Sequence, residues 1–375
     1  MSERVTIADV ARRAGVAISS VSSALNDRSG VSEETRRRIR LAADELGYVA
    51  SIRGRSLSSD RAYAVGLIVR RAPAAFDRDS LLPAFVGGVQ SMLETRGYVL
   101  VLLGGAPVDD KLQGFRRLMA DRRVDGVLLQ DIRHNDPRIP GLLDIGLPAV
   151  GIDAHSDGFP FPVVHQDCNA AIRTLARTLV EAGHGRIAYL TGPRPHVRSW
   201  RTRMLWREAL RDYGVVIDPV VEGDGSFEDG ERAAEQLMAG REPPTAVVAA
   251  SDAAALGFAR RARALGFRIP QDVSIVGFDG VPAGRVLDPT LTTVRTSPFL
   301  IGAKAAALLL ESLGERKLPD VPLPPAEIEP GGTIGPSRNR ERPAPPPPPT
   351  ALECDPIAGT LNMLVSRAEG SDTAF

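Results

Sequence analysis

The sequence predicts a small all-α headpiece of helix-turn-helix type at the N-terminus, followed by an α/β core of two doubly wound parallel-sheet subdomains. Three observations predict this fold class. Residues 5 to 47 contain three amphipathic helical patterns in close succession. From residue 63 to residue 279, seven short apolar runs alternate with longer helical patterns, which is typical of buried parallel strands in βαβ units. The length of 375 residues is enough for two or three domains.

Local signals account for the three helices of the headpiece. Thr6 is placed to cap the first helix, with Asp9 as its capping-box partner, and Gly15 is placed to end it. A second helix is predicted from Ala17 to Leu25, and the short link around Gly15 forces the first two helices to cross sharply. The third helix begins with acidic residues and ends before Gly47. We expect their apolar faces to form one small core.

Changes in composition divide the rest of the chain. We expect a headpiece at 1–49, a hinge helix or linker at 50–61, a core at 62–335 and a proline-rich, disordered tail at 336–375. Within the core, the N-subdomain is predicted at 62–161 and 291–318 and the C-subdomain at 162–290 and 319–335. The carboxyl ends of the strands in each subdomain are expected to face a crevice, where small molecules bind in such folds.

Several classes of protein are disfavoured by composition and motifs. No apolar run is long enough for a membrane span, and the first residues lack the apolar block of a signal peptide, so we expect a cytoplasmic protein with no membrane partner. Cys168 and Cys354 fit no metal spacing, which predicts reduced thiols. His165 and Asp167 are too few for a metal site and are interpreted as crevice-edge or structural residues. No nucleophile elbow, Walker loop or zinc-protease motif occurs, so neither an enzyme nor a cofactor is expected.

The second helix is the candidate DNA reader. A helix-turn-helix places this helix in the major groove, so its inward residues must anchor the core while its outward ones meet the bases. Val21 and Leu25 define the inward face. Off that face lie the base-reading candidates Ile18, Ser19, Ser22 and Ser23. The alternative is a generic three-helix cap without a DNA partner.

Longer motifs carry a resemblance to a known family. The stretch "VTIADVARRAGV…VSSALN…VSEETRRRIRLAADELGYV" resembles the DNA-binding headpiece of the lac repressor family of bacterial transcription regulators. Farther on, "GHGRIAYLTG", "PPTAVVAASDAAALG", "GFRIPQDVSIVGFDG" and "DPTLTTVRTSPFLIGAKAAALLL" are similar to the family's effector-binding core, which has a periplasmic-binding-protein-like fold. The resemblance covers about residues 4 to 335.

This resemblance implies a function. It implies a ligand-responsive transcriptional regulator, most simply a repressor, that binds a pseudo-palindromic operator in double-stranded DNA as a homodimer and responds to a sugar or sugar derivative. An apolar residue of the hinge, here Leu57, would wedge the minor groove open; the alternative is a lone exposed leucine in a linker. The alternative function is that of a solute-binding protein with the same core and no regulatory role.

The resemblance also assigns DNA contacts, with some departures. Ser23 stands where the family has an arginine, and Ser20 where it has threonine, so readout is expected to depend more on DNA shape, the hinge and other contacts. Gly54 stands in the hinge where alanine is usual, so this hinge should fold less readily without DNA. The remaining candidate contacts are Thr6, Ala17, Ser22, Asn26 and Arg53.

Effector contacts are the second set that the resemblance implies. Asp279, in "GFD", would accept hydrogen bonds from ligand hydroxyls, or else cap the following turn. Phe227 would stack on a ligand ring or belong to the core. Asp252 would contact the ligand or cap its helix, two nearly equal alternatives.

The family's pocket arginine has no direct counterpart. Its position falls on Thr202, and Arg201 and Arg203 flank that position, so either could serve after a small shift. Leu82 falls where some relatives place an aromatic pocket residue.

Overall fold

The computed structural model describes residues 5–25, 29–48, 61–69, 81–104, 123–155, 158–316 and 318–338. Five residues singled out above, Asn26, Arg53, Gly54, Leu57 and Cys354, lie outside these ranges, as do most of the hinge and the tail beyond residue 338.

The three predicted headpiece helices are confirmed as α1 (Ile7–Ala14), α2 (Ile18–Leu25) and α3 (Glu33–Glu45). Asp9 accepts hydrogen bonds from the Thr6 backbone amide at 2.9 Å and from the Thr6 hydroxyl at 2.7 Å. Gly15 ends α1 with a φ of 64°, a left-handed conformation that glycine adopts without steric cost. Val10, Val21 and Ile39, one from each helix, are fully buried in a shared core.

The first core sheet has five parallel strands in the order β2-β1-β3-β4-β5. These strands are β1 (Ala64–Val69), β2 (Val99–Gly104), β3 (Gly126–Leu129), β4 (Ala149–Ile152) and β5 (Val163–Val164). In the described part of this half, the helices are α4 (Leu82–Glu94), α5 (Arg138–Asp144) and α10 (Pro298–Ser312). Apolar side chains from the strands, α4 and α10 form the core of this N-subdomain.

The second sheet has six strands in the order β11-β10-β9-β8-β6-β7. All of its neighbours pair in parallel except β11, which is antiparallel to β10. The strands are β6 (Ile187–Thr191), β7 (Ile217–Glu222), β8 (Ala246–Ala249), β9 (Ser274–Asp279), β10 (Thr292–Arg295) and β11 (Glu327–Glu329). Its helices are α6 (Asn169–Glu181), α7 (Val197–Arg211), α8 (Phe227–Met238) and α9 (Asp252–Ala264), with a 3₁₀ turn at Pro282–Val286.

The structure corrects the expected subdomain boundaries. The N-subdomain continues past residue 161, because β5 pairs with β4 in the first sheet. The C-subdomain continues past residue 290, because β10 pairs with β9. The last boundary moves beyond 318, since Leu323 still packs on the N-subdomain core whereas Ala326 belongs to the C-subdomain core. The chain therefore crosses between the halves near residues 165, 296 and 325.

One side chain joins the three crossings. Gln166 is 3% exposed, and its Oε1 accepts a hydrogen bond from the Ser297 amide at 2.8 Å. Its Nε2 donates to the Pro324 carbonyl at 2.7 Å. Because Gln166, Ser297 and Pro324 lie on three different crossings, this amide fixes the hinge between the subdomains.

In each half, two helices pack at the distance that glycine permits. A Cβ at Gly88 of α4 would lie 1.9 Å from the Phe299 carbonyl oxygen of α10, and one at Gly302 would lie 2.2 Å from the Phe85 carbonyl oxygen. In the C-subdomain, Gly230 of α8 and Gly257 of α9 face each other's backbones in the same reciprocal way. These contacts have no room for a larger residue.

Candidate nucleic-acid interface and effector crevice

The start of α2 presents a solvent-facing surface. Ala17, Ile18 and Ser19 are exposed, and the Ile18 side chain is 51% exposed although it is large and apolar. On the opposite side of the helix, Val21 and Ala24 are fully buried in the headpiece core. The first turn of α2 therefore faces solvent while its inner face is anchored in the headpiece core, as is required of a helix that enters a DNA groove.

The remaining headpiece candidates are less accessible. Ser20, Ser22 and Ser23 are half-buried, and Thr6 is exposed with its hydroxyl engaged by Asp9. On α3, the guanidinium of Arg36 donates to the Ala24 carbonyl at 2.9 Å. With a side chain only 12% exposed, Arg36 stabilises the end of α2.

The carboxyl ends of two strands, one in each half, carry similar aspartates. Asp153 follows β4 in the sequence "VGID", and Asp279 ends β9 in the sequence "VGFD". Both have positive φ angles, 56° for Asp153 and 122° for Asp279, which are unusual for residues other than glycine. Strained aspartates at strand ends facing a crevice are typical of ligand-contacting positions.

Two arginines on the first turns of α7 connect these aspartates. Arg198 donates from Nη2 to Asp279 Oδ1 at 2.9 Å, and its Nε lies 3.7 Å from Asp153 Oδ2. Arg201 donates from Nη2 to Asp153 Oδ1 at 2.9 Å. The guanidinium of Arg198 also lies 5.8 Å from the ring centroid of Phe278. Four charged side chains from both subdomains thus form one network.

Comparisons with known proteins agree with this architecture. Residues 6–51 match the family described as bacterial regulatory proteins, lacI family, and residues 176–334 match the periplasmic binding protein-like domain. The HTH-type transcriptional repressor CytR of Escherichia coli (strain K12) is 31% identical over 311 residues, which cover 82% of this chain and 89% of CytR. The chain belongs to the lac repressor family.

Solved structures resemble this family member over most of its length. The lac repressor dimer bound to operator and the anti-inducer ONPF has a TM-score of 0.72 at 26% identity, covering 89% of this chain and 100% of the other. The complex of the transcriptional regulator CelR with cellobiose has a TM-score of 0.65 at 30% identity, covering 88% and 100%. As a member of this family of repressors, the protein is a ligand-responsive DNA-binding repressor and not an enzyme. No described helix is long and apolar enough to cross a membrane.

In this lac repressor family member, Asp252 stabilises the backbone next to the crevice. Its side chain is fully buried, and it accepts hydrogen bonds from the amides of Gly280 and Val281 at 2.8 and 2.7 Å and from the Thr293 hydroxyl at 2.6 Å. The expectation that it meets the ligand or caps its own helix is therefore corrected. Ser251 caps α9, whereas Asp252 holds the turn that follows Asp279.

The remaining predicted effector contacts differ in how far they are buried. Leu82 is 8% exposed and packs in the N-subdomain core. Phe227 begins α8, is half-buried and has the Arg260 guanidinium 5.7 Å from its ring centroid. Thr202, at the family's arginine position, is buried, and Arg203 is half-buried.

Two crevice residues were missed by sequence reasoning. Arg198 is the arginine that reaches Asp279, and Asp153 is the partner of Arg201. The repeated "VGxD" pattern at 150–153 and 276–279 is a signal that could have revealed Asp153. Arg198 had no such signal, because which arginines of α7 face the crevice depends on how the helix packs.

The same network sets the protonation of its neighbours. Burial lowers the pKa of Arg198, but Asp279 and Asp153 raise it by more, so this pKa is raised overall. Burial and the charge of Arg201 lower the pKa of His165, which favours the neutral imidazole. Burial, reinforced by Asp153, raises the pKa of the Cys168 thiol to about 11. Among the described residues no group of histidines, cysteines and acids could hold a metal ion.

Loops of the N-subdomain hold the N-terminal end of α7. The Val197 amide donates to the Ile132 carbonyl and the His134 amide to the Pro195 carbonyl, both at 2.9 Å. Trp200, on α7, makes edge contacts with the rings of His134 and His155 at centroid distances of 6.0 and 5.2 Å. The element that carries both crevice arginines is thus coupled to the position of the other subdomain.

Proposed function

We propose that this protein represses transcription by binding a pseudo-palindromic operator as a homodimer, one headpiece on each half-site, and that a small molecule in the crevice changes its affinity for the operator. The observation that supports DNA binding best is the exposed first turn of α2 above a fully buried inner face. The likeness to a lac repressor dimer bound to operator supports the assembly. Because operator DNA is its partner, we place the protein in the cytoplasm.

Base readout in this proposal begins with Ile18 and Ser19. An exposed isoleucine near the start of a groove-entering helix matches the C5-methyl group of thymine, while a serine hydroxyl can bond several base edges. Ser23 lacks the guanidinium that would read guanine. Thr6, Ala17, Ser20 and Ser22 serve phosphate contacts and close approach in this proposal, and DNA shape contributes the rest of the specificity.

A gel-shift titration on the DNA upstream of the protein's own gene, at low salt, tests DNA binding. We expect a specific complex, and we expect Ile18→Ala to weaken it by about five- to thirtyfold, the equivalent of ~1–2 kcal/mol of lost apolar contact. The matched control is Leu41→Ala, because Leu41 on α3 is 57% exposed and lies outside the proposed face. If wild-type protein gives no specific shift, or if both variants weaken binding equally, the proposal is wrong.

The proposal that an effector regulates operator binding is supported by the residues of the crevice. Asp279 and the arginines of α7 lie at the strand ends where doubly wound folds bind ligands. Since CelR was solved with cellobiose, we propose a sugar or sugar derivative as effector. Repeating the gel shift with a sugar panel tests this part, and a complex that no member of the panel alters would refute it. A solute-binding protein without a regulatory role would show ligand binding but no gel shift.

A further inference from the structure

Two guanidinium groups from one subdomain meet a single carboxylate from the other. Arg201 Nη2 lies 2.9 Å from Asp153 Oδ1, and Arg198 Nε lies 3.7 Å from Asp153 Oδ2. Each oxygen of Asp153 thus faces a different arginine. The two arginines form a binding site for one carboxylate, because the hydrogen-bond donors of a guanidinium lie in a plane and match the geometry of a carboxylate.

This network differs from the buried ion pair between Asp136 and Arg138, which lies within the N-subdomain. The Asp136 and Arg138 side chains are fully buried, and Arg138 also donates to the Gln130 carbonyl at 3.0 Å. In the crevice network, the Arg198 side chain is 41% exposed, Arg201 24% and Asp153 19%. Solvent, and therefore a solute, can reach the crevice arginines, whereas the pair of Asp136 and Arg138 is closed to both.

We propose that the effector carries a carboxylate, which displaces Asp153 and binds between Arg198 and Arg201 while the effector's hydroxyl groups bond Asp279. The proposal rests on the crevice being the effector site, as proposed above, and it defines the effector class as a sugar acid. Asp153 then acts as an internal competitor. Displacing it breaks a charged contact between the subdomains, so binding the acid changes how the two halves are held together.

Isothermal titration calorimetry of the full chain tests the proposal with matched probes. D-Glucuronate and D-gluconate are compared with D-glucose and D-glucitol, with inorganic phosphate as a separate arm. We expect at least one acid to bind more tightly than its neutral counterpart. Asp153→Asn should tighten binding of the acid by on the order of tenfold, as for typical coupled sites, and leave the neutral probes unchanged. Arg201→Gln should weaken binding of the acid by a similar factor.

The control is Arg207→Gln, because Arg207 lies on the same helix but is exposed outside the network. Circular dichroism verifies that each variant is folded. The proposal is overturned if no acid of the panel binds Asp153→Asn more tightly than its neutral counterpart, or if phosphate alone reproduces the effect, which would indicate a general anion site. Gel shifts on the same preparations report operator binding separately, so failure of the repressor proposal and failure of this one give different results.

Discussion

Replacing Gln166 with alanine should loosen the hinge and destabilise the core. The change removes the acceptor of the Ser297 amide and the donor to the Pro324 carbonyl, bonds of 2.8 and 2.7 Å at a site that is 3% exposed. A buried polar group left without a partner costs about 1–3 kcal/mol. Two such groups, partly relieved by water entering the space, give an expected loss of about 2–4 kcal/mol in the free energy of unfolding.

Urea unfolding followed by circular dichroism measures this loss. The control is Gln90→Ala, because the Gln90 side chain donates to the Glu94 side chain in an exposed hydrogen bond within α4. That control should cost no more than about 0.5 kcal/mol. Since Gln166 joins all three crossings, we also expect the variant to show a smaller effect of ligand on operator affinity. A stability loss equal to that of Gln90→Ala would refute the role assigned to this amide.

Three further predictions follow from buried features of the core. Asp136→Asn should cost about 3–5 kcal/mol in urea unfolding, because it leaves the buried charge of Arg138 without its partner. Gly88→Ala should cost about 1–3 kcal/mol or more by thermal or urea unfolding, whereas Gly87→Ala, whose Cβ would lie 3.8 Å from the Phe299 ring, should be neutral or slightly stabilising; equal effects would refute the close-packing argument. Burial lowers the pKa of His184 below 6.5, so the unfolded chain binds the proton first, and stability should decline as the pH falls below about 6.5. The slope of unfolding free energy against pH should be smaller in His184→Gln, and an unchanged slope would contradict this assignment.

Strands with continuous apolar sequences could be predicted from the sequence, and strands that are short or carry polar residues could not. All seven apolar runs became strands, and six of them are interior parallel strands, which are buried on both faces and therefore apolar throughout. The missed strands include the edge strands β5, β7 and β11, which are short or carry polar residues and, in β7, Pro219. An edge strand needs only one paired side, so its sequence resembles a loop. The boundary at residue 161 was misplaced because β5 was missed, and the boundary at residue 290 because the interior strand β10, whose sequence TTVR is largely polar, was missed as well.

In the candidate site, too, some features could be predicted from the sequence and others depend on tertiary packing. The position of Asp279 could be predicted, because the carboxyl end of an apolar strand has a fixed place in a doubly wound sheet, whereas its contact with an effector was implied by the family resemblance and stays a prediction. Asp252 has the same sequence signature, yet its carboxylate turns under the crevice and binds backbone amides. Whether such an aspartate faces ligand or backbone depends on the neighbouring turn, which one sequence does not specify. The role of Arg198 likewise depends on contacts between elements distant in sequence.

The interleaving of the two subdomains has a consequence for synthesis on the ribosome. Residues 5–48 contain the whole headpiece core, so this unit can fold as soon as it emerges. The first sheet, in contrast, is covered by the helix at Pro298–Ser312, and the second is completed by the strand at Glu327–Glu329. Neither half of the core can finish folding until nearly all of the described chain has been made. A nascent chain therefore carries a folded DNA reader long before it has the domain that responds to ligand.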